Sequence, residues 1–307
     1  MQNSTPVSRR PYRGRFAPSP SGPLHLGSLF TALASFLEAR SQGGEWLVRI
    51  DDIDPYRTRT GAADRILFSL ESLGLTWDGP VIYQSQRSDF YKTGLDSLQA
   101  QGLIYACDCS RRELAGEEAG VYPGFCRHKP LRPQPGQLAL RLLAGDMTIR
   151  FEDRVQGRVE QHLLQEVGDF IVYRRDGAFA YHLATVMDDA DQGITEVLRG
   201  QDLLDSTPRQ IHLQQRLNLP TPGYAHIPVL VNADGKKLSK CTLAPAAETR
   251  QPSQLLGYLL QRLEQPLPAG MASAPAGEIL DWATRHWQLS RLCGVGPITL
   301  VPPTFSP

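Results

Sequence analysis

Apolar residues at Leu26, Leu29, Phe30, Leu33 and Leu37 recur at helical spacing, which predicts an amphipathic helix starting near Leu26. The short run Tyr12 to Phe16 before it is mixed and compatible with a strand. Trp46 to Ile50 predicts a buried strand, and the periodic segments around Ile66, Leu67, Leu70, Leu73 and around Phe90, Leu95, Leu98 predict helices. Strands alternating with helices in this way predict an α/β domain with a doubly wound parallel sheet. From about Tyr105 the alternation breaks into a turn-rich stretch to Gly124, followed by short β-like pieces at Leu138 to Leu142 and Met147 to Phe151. Residues 106–176 therefore read as an insertion. The alternation resumes through Phe170 to Arg174 and Ala178 to Leu183, which lead to Asp188-Asp189, and then a strand at Glu196 to Leu198. A helix from Thr207 to Leu217 follows, capped by Ser206 or Thr207 with Pro208 in its first turn, and then a strand over Tyr224 to Val231. Further on, Leu255, Leu256, Leu259 and Leu260, and then Ile279, Leu280, Ala283 and Trp287, predict two helices. Pro266 to Gly277 reads as a linker between them, and the last dozen residues are expected to trail off.

The 307 residues suffice for a sizeable core and two or three domains. Lys and Arg balance Asp and Glu at 32 each, so the net charge gives no support for broad electrostatic binding to nucleic acid. Arg127, His128, Lys129 and Arg132 form one local basic cluster of the kind that is usually solvated surface. No run approaches the ~18 apolar residues of a membrane span. Met1 to Arg10 is polar and lacks the apolar region of a secretory signal, so a cytoplasmic protein with a disordered leader is expected. Of five cysteines, Cys107, Cys109 and Cys126 lie within twenty residues, which in a reducing compartment suggests metal before disulfide.

The chemistry gathers around Arg15-Phe16-Ala17-Pro18-Ser19-Pro20-Ser21-Gly22-Pro23-Leu24-His25-Leu26-Gly27-Ser28. A strand, a loop rich in Pro, Ser and Gly and a helix N-terminus can hold phosphate, because free backbone N–H groups and the positive end of the helix dipole face the anion. His25 sits at the helix mouth, and Gly27 admits a nucleotide close to the backbone. The loop is neither a Walker loop nor a dinucleotide fingerprint. By itself it reads equally well as a Pro-rich turn with a buried histidine. The Trp46–Ile50 strand ends in Asp51-Asp52-Ile53-Asp54, and carboxylates just past a parallel strand lie where ligands bind. Far downstream, Gly235-Lys236-Lys237-Leu238-Ser239-Lys240 places three lysines and a serine in a turn-like segment.

His25-Leu26-Gly27-Ser28 early and Lys237-Leu238-Ser239-Lys240 late resemble the two signatures of class I aminoacyl-tRNA synthetases. Arg15 to Gly22 narrows the resemblance to the glutamyl and glutaminyl branch. It extends from about Arg13 to Pro245 and includes Phe179-Ala180-Tyr181-His182-Leu183-Ala184, Asp188-Asp189 and Leu198-Arg199-Gly200-Gln201-Asp202. A compact glutamyl-type core with a cysteine-bearing insertion, and no room for a large anticodon-binding half, resembles the glutamyl-Q tRNA(Asp) synthetases. The resemblance implies a Rossmann-type catalytic domain split into 1–105, with 1–10 disordered, and 177–245. Between them lies an acceptor-binding-like insertion at 106–176 with a zinc site, and a helical, stem-contact-like tail follows at 246–307.

That family attaches glutamate to queuosine, the modified anticodon base of tRNA(Asp), instead of to a tRNA 3′ end. The implied first step is attack of a glutamate carboxylate oxygen on the α-phosphorus of ATP, brought with Mg²⁺. No protein nucleophile is required, so catalysis is positioning and charge stabilisation. His25, Gly27 and Ser28 would hold the triphosphate, and the mobile charges of Lys237 and Lys240 would close on it. Glutamate would lie among Arg15, Phe16, Ala17, Pro18, Ser19, Asp51, Tyr181 and Arg199. The two arginines would offer forks to carboxylates, Tyr181 would donate a hydroxyl, and Asp51 would pair with the ammonium. The motif after the second strand normally reads Ile-Glu-Asp. Here it reads Ile50-Asp51-Asp52, so the carboxylate is one methylene shorter, which leaves open an inward shift, a bridging water, or transfer of the role to Asp52. Cys107, Cys109 and Cys126 are one ligand short of the tetrahedral set of structural zinc. His128 is one candidate fourth ligand, and the resemblance favours Tyr122. The expected partners are L-glutamate, ATP and queuosine-bearing tRNA(Asp), with no membrane, and the chain is expected to be a monomer. Two alternatives remain at this stage: a short synthetase that charges a 3′ end, and a non-catalytic synthetase-like tRNA-binding protein.

Overall fold

The computed structural model describes residues 11–110, 112–114, 121–132, 136–232, 234–235 and 251–300. The leader expected at Met1–Arg10 lies outside them. The chain enters on β1 (Arg13–Phe16), α1 (Leu26–Ser41), β2 (Glu45–Ile50), α2 (Ala62–Ser72), β3 (Ile82–Tyr83) and α3 (Ser88–Ala100). β1 pairs with β2, and β2 with β3, all in parallel. The periodicity of α1 is realised: Leu29, Leu33 and Leu37 are fully buried. The helix ends where Gly43 turns to a positive φ of 62° and Gly44 N donates back to Ala39 O at 2.9 Å. Trp46 of β2 is fully buried, and its indole N–H donates to Ser35 Oγ of α1 at 2.9 Å, which fixes helix against sheet.

The middle of the chain supplies β4 (Ile104–Cys107), β5 (Ala139–Leu142), β6 (Thr148–Asp153), β7 (Gly157–His162), the single turn α4 (Leu163–Glu166) and β8 (Phe170–Tyr173). β4, β5 and β8 form a separate antiparallel sheet. Phe170–Tyr173 is thus a strand as expected, but it belongs to this sheet and does not resume the parallel one. β6 and β7 form an antiparallel hairpin, and Asp153 at the end of β6 pairs in parallel with Tyr224.

The second half runs α5 (Tyr181–Asp191), β9 (Glu196–Gly200), α6 (Thr207–Arg216), β10 (Gly223–Ile227) and β11 (Leu230–Val231). Ala178 to Leu183 is loop and first helical turn, and its one ladder-type pairing among the described residues is an isolated Tyr173–Phe179 bridge. Ser206 caps nothing: its backbone is helical (φ −78°, ψ −24°), so its hydroxyl does not reach the free amides of α6. The strand expected over Tyr224 to Val231 is interrupted at Pro228, which has no N–H for the ladder. β9 and β10 pair in parallel. β9 is tied to β1 where Thr195 N donates to Arg13 O at 3.0 Å, so the strand order reverses between β1 and β9. α7 (Pro252–Arg262), α8 (Ala276–His286) and β12 (Ile298–Thr299) complete the described chain. Leu255, Leu259 and Ile279 share the core of α1, and β12 pairs with β11, so residues expected to trail off are partly held. Among the described residues no helix is long and apolar enough to cross a membrane.

Candidate active site

A cavity of about 790 Å³ opens at the C-terminal ends of β1 and β9, the topological switch point at which α/β sheets bind ligands. Arg15, Phe16, Ala17, Pro18, Ser19, His25, Gly27, Ser28, Asp51, Tyr181 and Arg199 all line it, residues drawn from five separate stretches of chain. Asp202, the last residue of the motif at 198–202, also lines it, as does Arg57, which was not singled out from the sequence. Lys237 and Lys240 lie outside the described residues.

One end of the cavity is the mouth of α1. His25 is the N-cap, and its Nδ1 accepts from Ser28 N at 3.2 Å while Nε2 lies 3.2 Å from Ser28 Oγ. With Nδ1 accepting, Nε2 carries the proton and can exchange Ser28 Oγ for a phosphate oxygen. A Cβ on Gly27 would lie 3.1 Å from the His25 ring, so this glycine leaves room for the imidazole at the helix mouth as well as for a ligand.

Behind the other end lies a buried ionic scaffold. Arg15 donates from Nε and Nη2 to the Asp189 carboxylate at 3.2 and 3.3 Å, which leaves its Nη1 side for a ligand. Arg49, fully buried, donates from Nε to Asp51 Oδ1 and from Nη1 to Asp189 Oδ1, both at 2.7 Å. Asp188 accepts from Gln84, Tyr91 and Arg87 at 2.8 Å each. Asp188 and Asp189 sit on α5 behind the cavity and do not line it. Burial pushes the Asp51 carboxyl up to about 6 in spite of Arg49 beside it. Asp52 turns away and accepts from Ser85 N and Oγ at 2.8 and 2.7 Å, so of the two neighbours Asp51 faces the cavity. Arg49 was legible in principle, as a lone charge inside the apolar run Trp46 to Ile50.

Arg199 is held by strands on its own side of the sheet. Its cross-strand partner on β10 is His226, whose Nε2 lies 3.0 Å from Arg199 Nε. Arg199 Nη2 donates to Thr207 Oγ1 at 2.8 Å, and Nη1 is buried without a partner among the described residues. His226 Nδ1 in turn lies 2.6 Å from Asp153 Oδ2.

The insertion brings together Cys107, Cys109 and Cys126, whose sulfurs all lie within 4.8 Å of one another and could hold a metal ion. Tyr122 Oη is 3.5 Å from Cys107 Sγ and 3.6 Å from Cys109 Sγ. His128 is exposed and takes no part in the cluster. Arg141 is buried, donates from Nε to Cys107 Sγ at 3.2 Å and stacks over the Tyr122 ring at 3.6 Å. Against the opposing pull of burial, hydrogen bonds with Tyr122 and Arg141 hold the Cys107 thiol below its usual value. The basic cluster nearby is partly neutralised: Arg127 forks onto Asp169 and Lys129 pairs with Asp108 at 2.7 Å.

Residues 12–255 match the family described as tRNA synthetases class I (E and Q), catalytic domain. A glutamyl-Q tRNA(Asp) synthetase of Methylococcus capsulatus is 56% identical over 283 residues, covering 92% of this chain and 93% of that protein. The protein of the same name from Pseudomonas aeruginosa is 50% identical, with 92% and 95% covered. A crystal structure of a glutamate tRNA ligase from Elizabethkingia meningosepticum, in complex with its amino acid, superposes with a TM-score of 0.78 at 24% identity. That match covers 94% of this chain and 67% of the other, and it shows the shared fold. The chain belongs to the glutamyl and glutaminyl class I tRNA synthetase family, among its glutamyl-Q tRNA(Asp) synthetases.

Proposed function

We propose that this enzyme activates L-glutamate with ATP and transfers the glutamyl group to queuosine in the anticodon of tRNA(Asp). The observation that carries the reading is the convergence of Arg15, Asp51, Tyr181 and Arg199 on the same cavity as His25, Gly27 and Ser28. One end of the cavity suits an anion at a helix mouth, and the other suits an amino acid with two carboxylates and one ammonium. The α-carboxylate oxygen attacks the α-phosphorus, the bond to the bridging oxygen breaks, and pyrophosphate leaves. The helix mouth, His25 and, in this reading, Lys237 and Lys240 hold the charge that builds on the phosphates. A hydroxyl of the queuosine cyclopentenediol then attacks the adenylate carbonyl, forming an ester and releasing AMP.

The thiol cluster fits tetrahedral zinc. With Zn–S ~2.3 Å and Zn–O ~2.0 Å, sulfur–sulfur edges are ~3.8 Å and sulfur–oxygen edges ~3.5 Å. The Cys109–Cys126 sulfur separation is 3.4 Å, and the Tyr122 oxygen lies 3.5 and 3.6 Å from two sulfurs. Three thiolates and a phenolate outweigh the dication by two charges, and buried Arg141 offsets part of that excess. Zinc there would supply a structural clip, with Cys107, Cys109, Tyr122 and Cys126 as ligands. The same reading makes the protein a cytoplasmic monomer that uses residues 106–176 to meet its acceptor.

ATP–pyrophosphate exchange with each amino acid in turn tests the activation half. Exchange with glutamate alone, in the absence of tRNA, is expected because the walls of the cavity formed by the described residues already stand together in the free chain. Exchange with another amino acid, or with none, would overturn the reading.

A further inference from the structure

Arg199 has three guanidinium nitrogens and the protein satisfies two. Nε faces His226 Nε2 at 3.0 Å, and Nη2 donates to Thr207 Oγ1 at 2.8 Å. The third, Nη1, is buried in the wall of the cavity with no partner among the described residues. A buried donor left without an acceptor is costly, and a carboxylate ligand would supply the missing acceptor.

Arg199 is a donor at every nitrogen, so His226 can face it only with an acceptor. That requires the neutral ring with its proton on Nδ1. Asp153 enforces this tautomer: its Oδ2 lies 2.6 Å from His226 Nδ1, and both residues are fully or nearly fully buried. Asp153 is itself fixed, since its Oδ1 accepts from Val155 N at 3.0 Å, Gln156 N at 2.9 Å and His226 N at 3.0 Å. Asp153 ends β6 of the insertion, His226 lies on β10 and Arg199 on β9, so three adjacent strands carry one relay.

We propose that His226 and Asp153 are positioning residues for the amino-acid site: Asp153 sets the His226 tautomer, and His226 holds the Arg199 fork so that Nη1 is presented to a substrate carboxylate. This inference rests on Arg199 being a glutamate ligand, as proposed above. It also gives the insertion a role inside the amino-acid site through Asp153.

The test is the glutamate KM in ATP–pyrophosphate exchange, with the ATP KM and melting temperature as controls. Asp153→Asn places an amide against Nδ1, which then accepts, so Nε2 becomes a donor opposed to Arg199. It is expected to raise the glutamate KM at least tenfold and leave the ATP KM within about twofold. His226→Asn keeps a group facing Asp153 but loses the acceptor for Arg199, and should do the same. His226→Gln places a carbonyl oxygen where Nε2 stood and should stay within about threefold of wild type. The carbonyl needs no tautomer, so adding Asp153→Asn to His226→Gln should cost little more. A merely structural role would instead let the two changes add. An additive double variant, or equal changes in both KM values, overturns the relay. If Arg199→Lys leaves the glutamate KM unchanged, the reading of Arg199 as a substrate ligand has failed, and the relay fails with it.

Discussion

Replacing Asp51 by asparagine removes one charge from the site with almost no change in shape. Asp51 is 7% exposed, faces the cavity, and gives one oxygen to Arg49 at 2.7 Å. A charge-assisted hydrogen bond to the substrate ammonium is worth about 1.5–3 kcal/mol, so Asp51→Asn should raise the glutamate KM by roughly 10- to 150-fold. The ATP KM should stay within about twofold. The pH dependence sharpens the test. The free carboxyl titrates at about 6, and only its ionised form pairs with an ammonium. Below pH 6 the wild-type glutamate KM should climb about tenfold per unit, and above it the KM should level off. The variant should lack this dependence. Stability moves the other way: a raised carboxyl contributes stability that is full below about pH 4 and lost as pH rises through about 6. At pH 8 the ionised group therefore costs on the order of 3 kcal/mol, and Asp51→Asn should melt no lower than wild type. The assay is pyrophosphate exchange from pH 5 to 8.5. An unchanged glutamate KM at pH 8, or the same acid limb in the variant, would refute the assignment.

Metal analysis should find about one zinc per chain in His128→Ala and clear loss in Tyr122→Phe, and unchanged zinc in the latter would refute the phenolate ligand. Gly168→Ala should also release the metal, because Gly168 has a φ of +69° and a Cβ there would lie 2.5 Å from Tyr122 O. Full zinc content in that variant would refute the coupling. Glu38 is 1% exposed and accepts from Trp287 Nε1 at 2.6 Å. Trp287→Phe leaves that oxygen unpaired and should cost about 1–3 kcal/mol in urea unfolding, with the glutamate KM unchanged.

Local pattern carried the reading furthest where one helix face or one loop decides. The spacing of Leu26 to Leu37 and the Pro-Ser-Gly loop placed α1 and its mouth, and Arg15, His25, Asp51, Tyr181 and Arg199 line one cavity, whereas the motif residues Asp188 and Asp189 lie behind it. The misread segments are those where a short apolar run suits two structures. Phe170–Tyr173 can join a parallel or an antiparallel sheet, and Ala178 to Leu183 is too short to separate strand from helix. His226 and Asp153 went unnoticed because their contact spans 73 residues and exists only once β6 lies beside β10. Arg49 could have been noticed, since a charge in the middle of a buried strand demands partners.

Transfer to tRNA is the most direct test of the central claim. Labelled glutamate should be transferred by the wild-type enzyme to tRNA(Asp) that carries queuosine and not to the unmodified transcript of the same sequence. Periodate treatment is uninformative here, because it cleaves the diol of queuosine along with that of the 3′ end. Stable labelling of the modified tRNA alone is the predicted result, and equal labelling of the unmodified transcript would contradict the account.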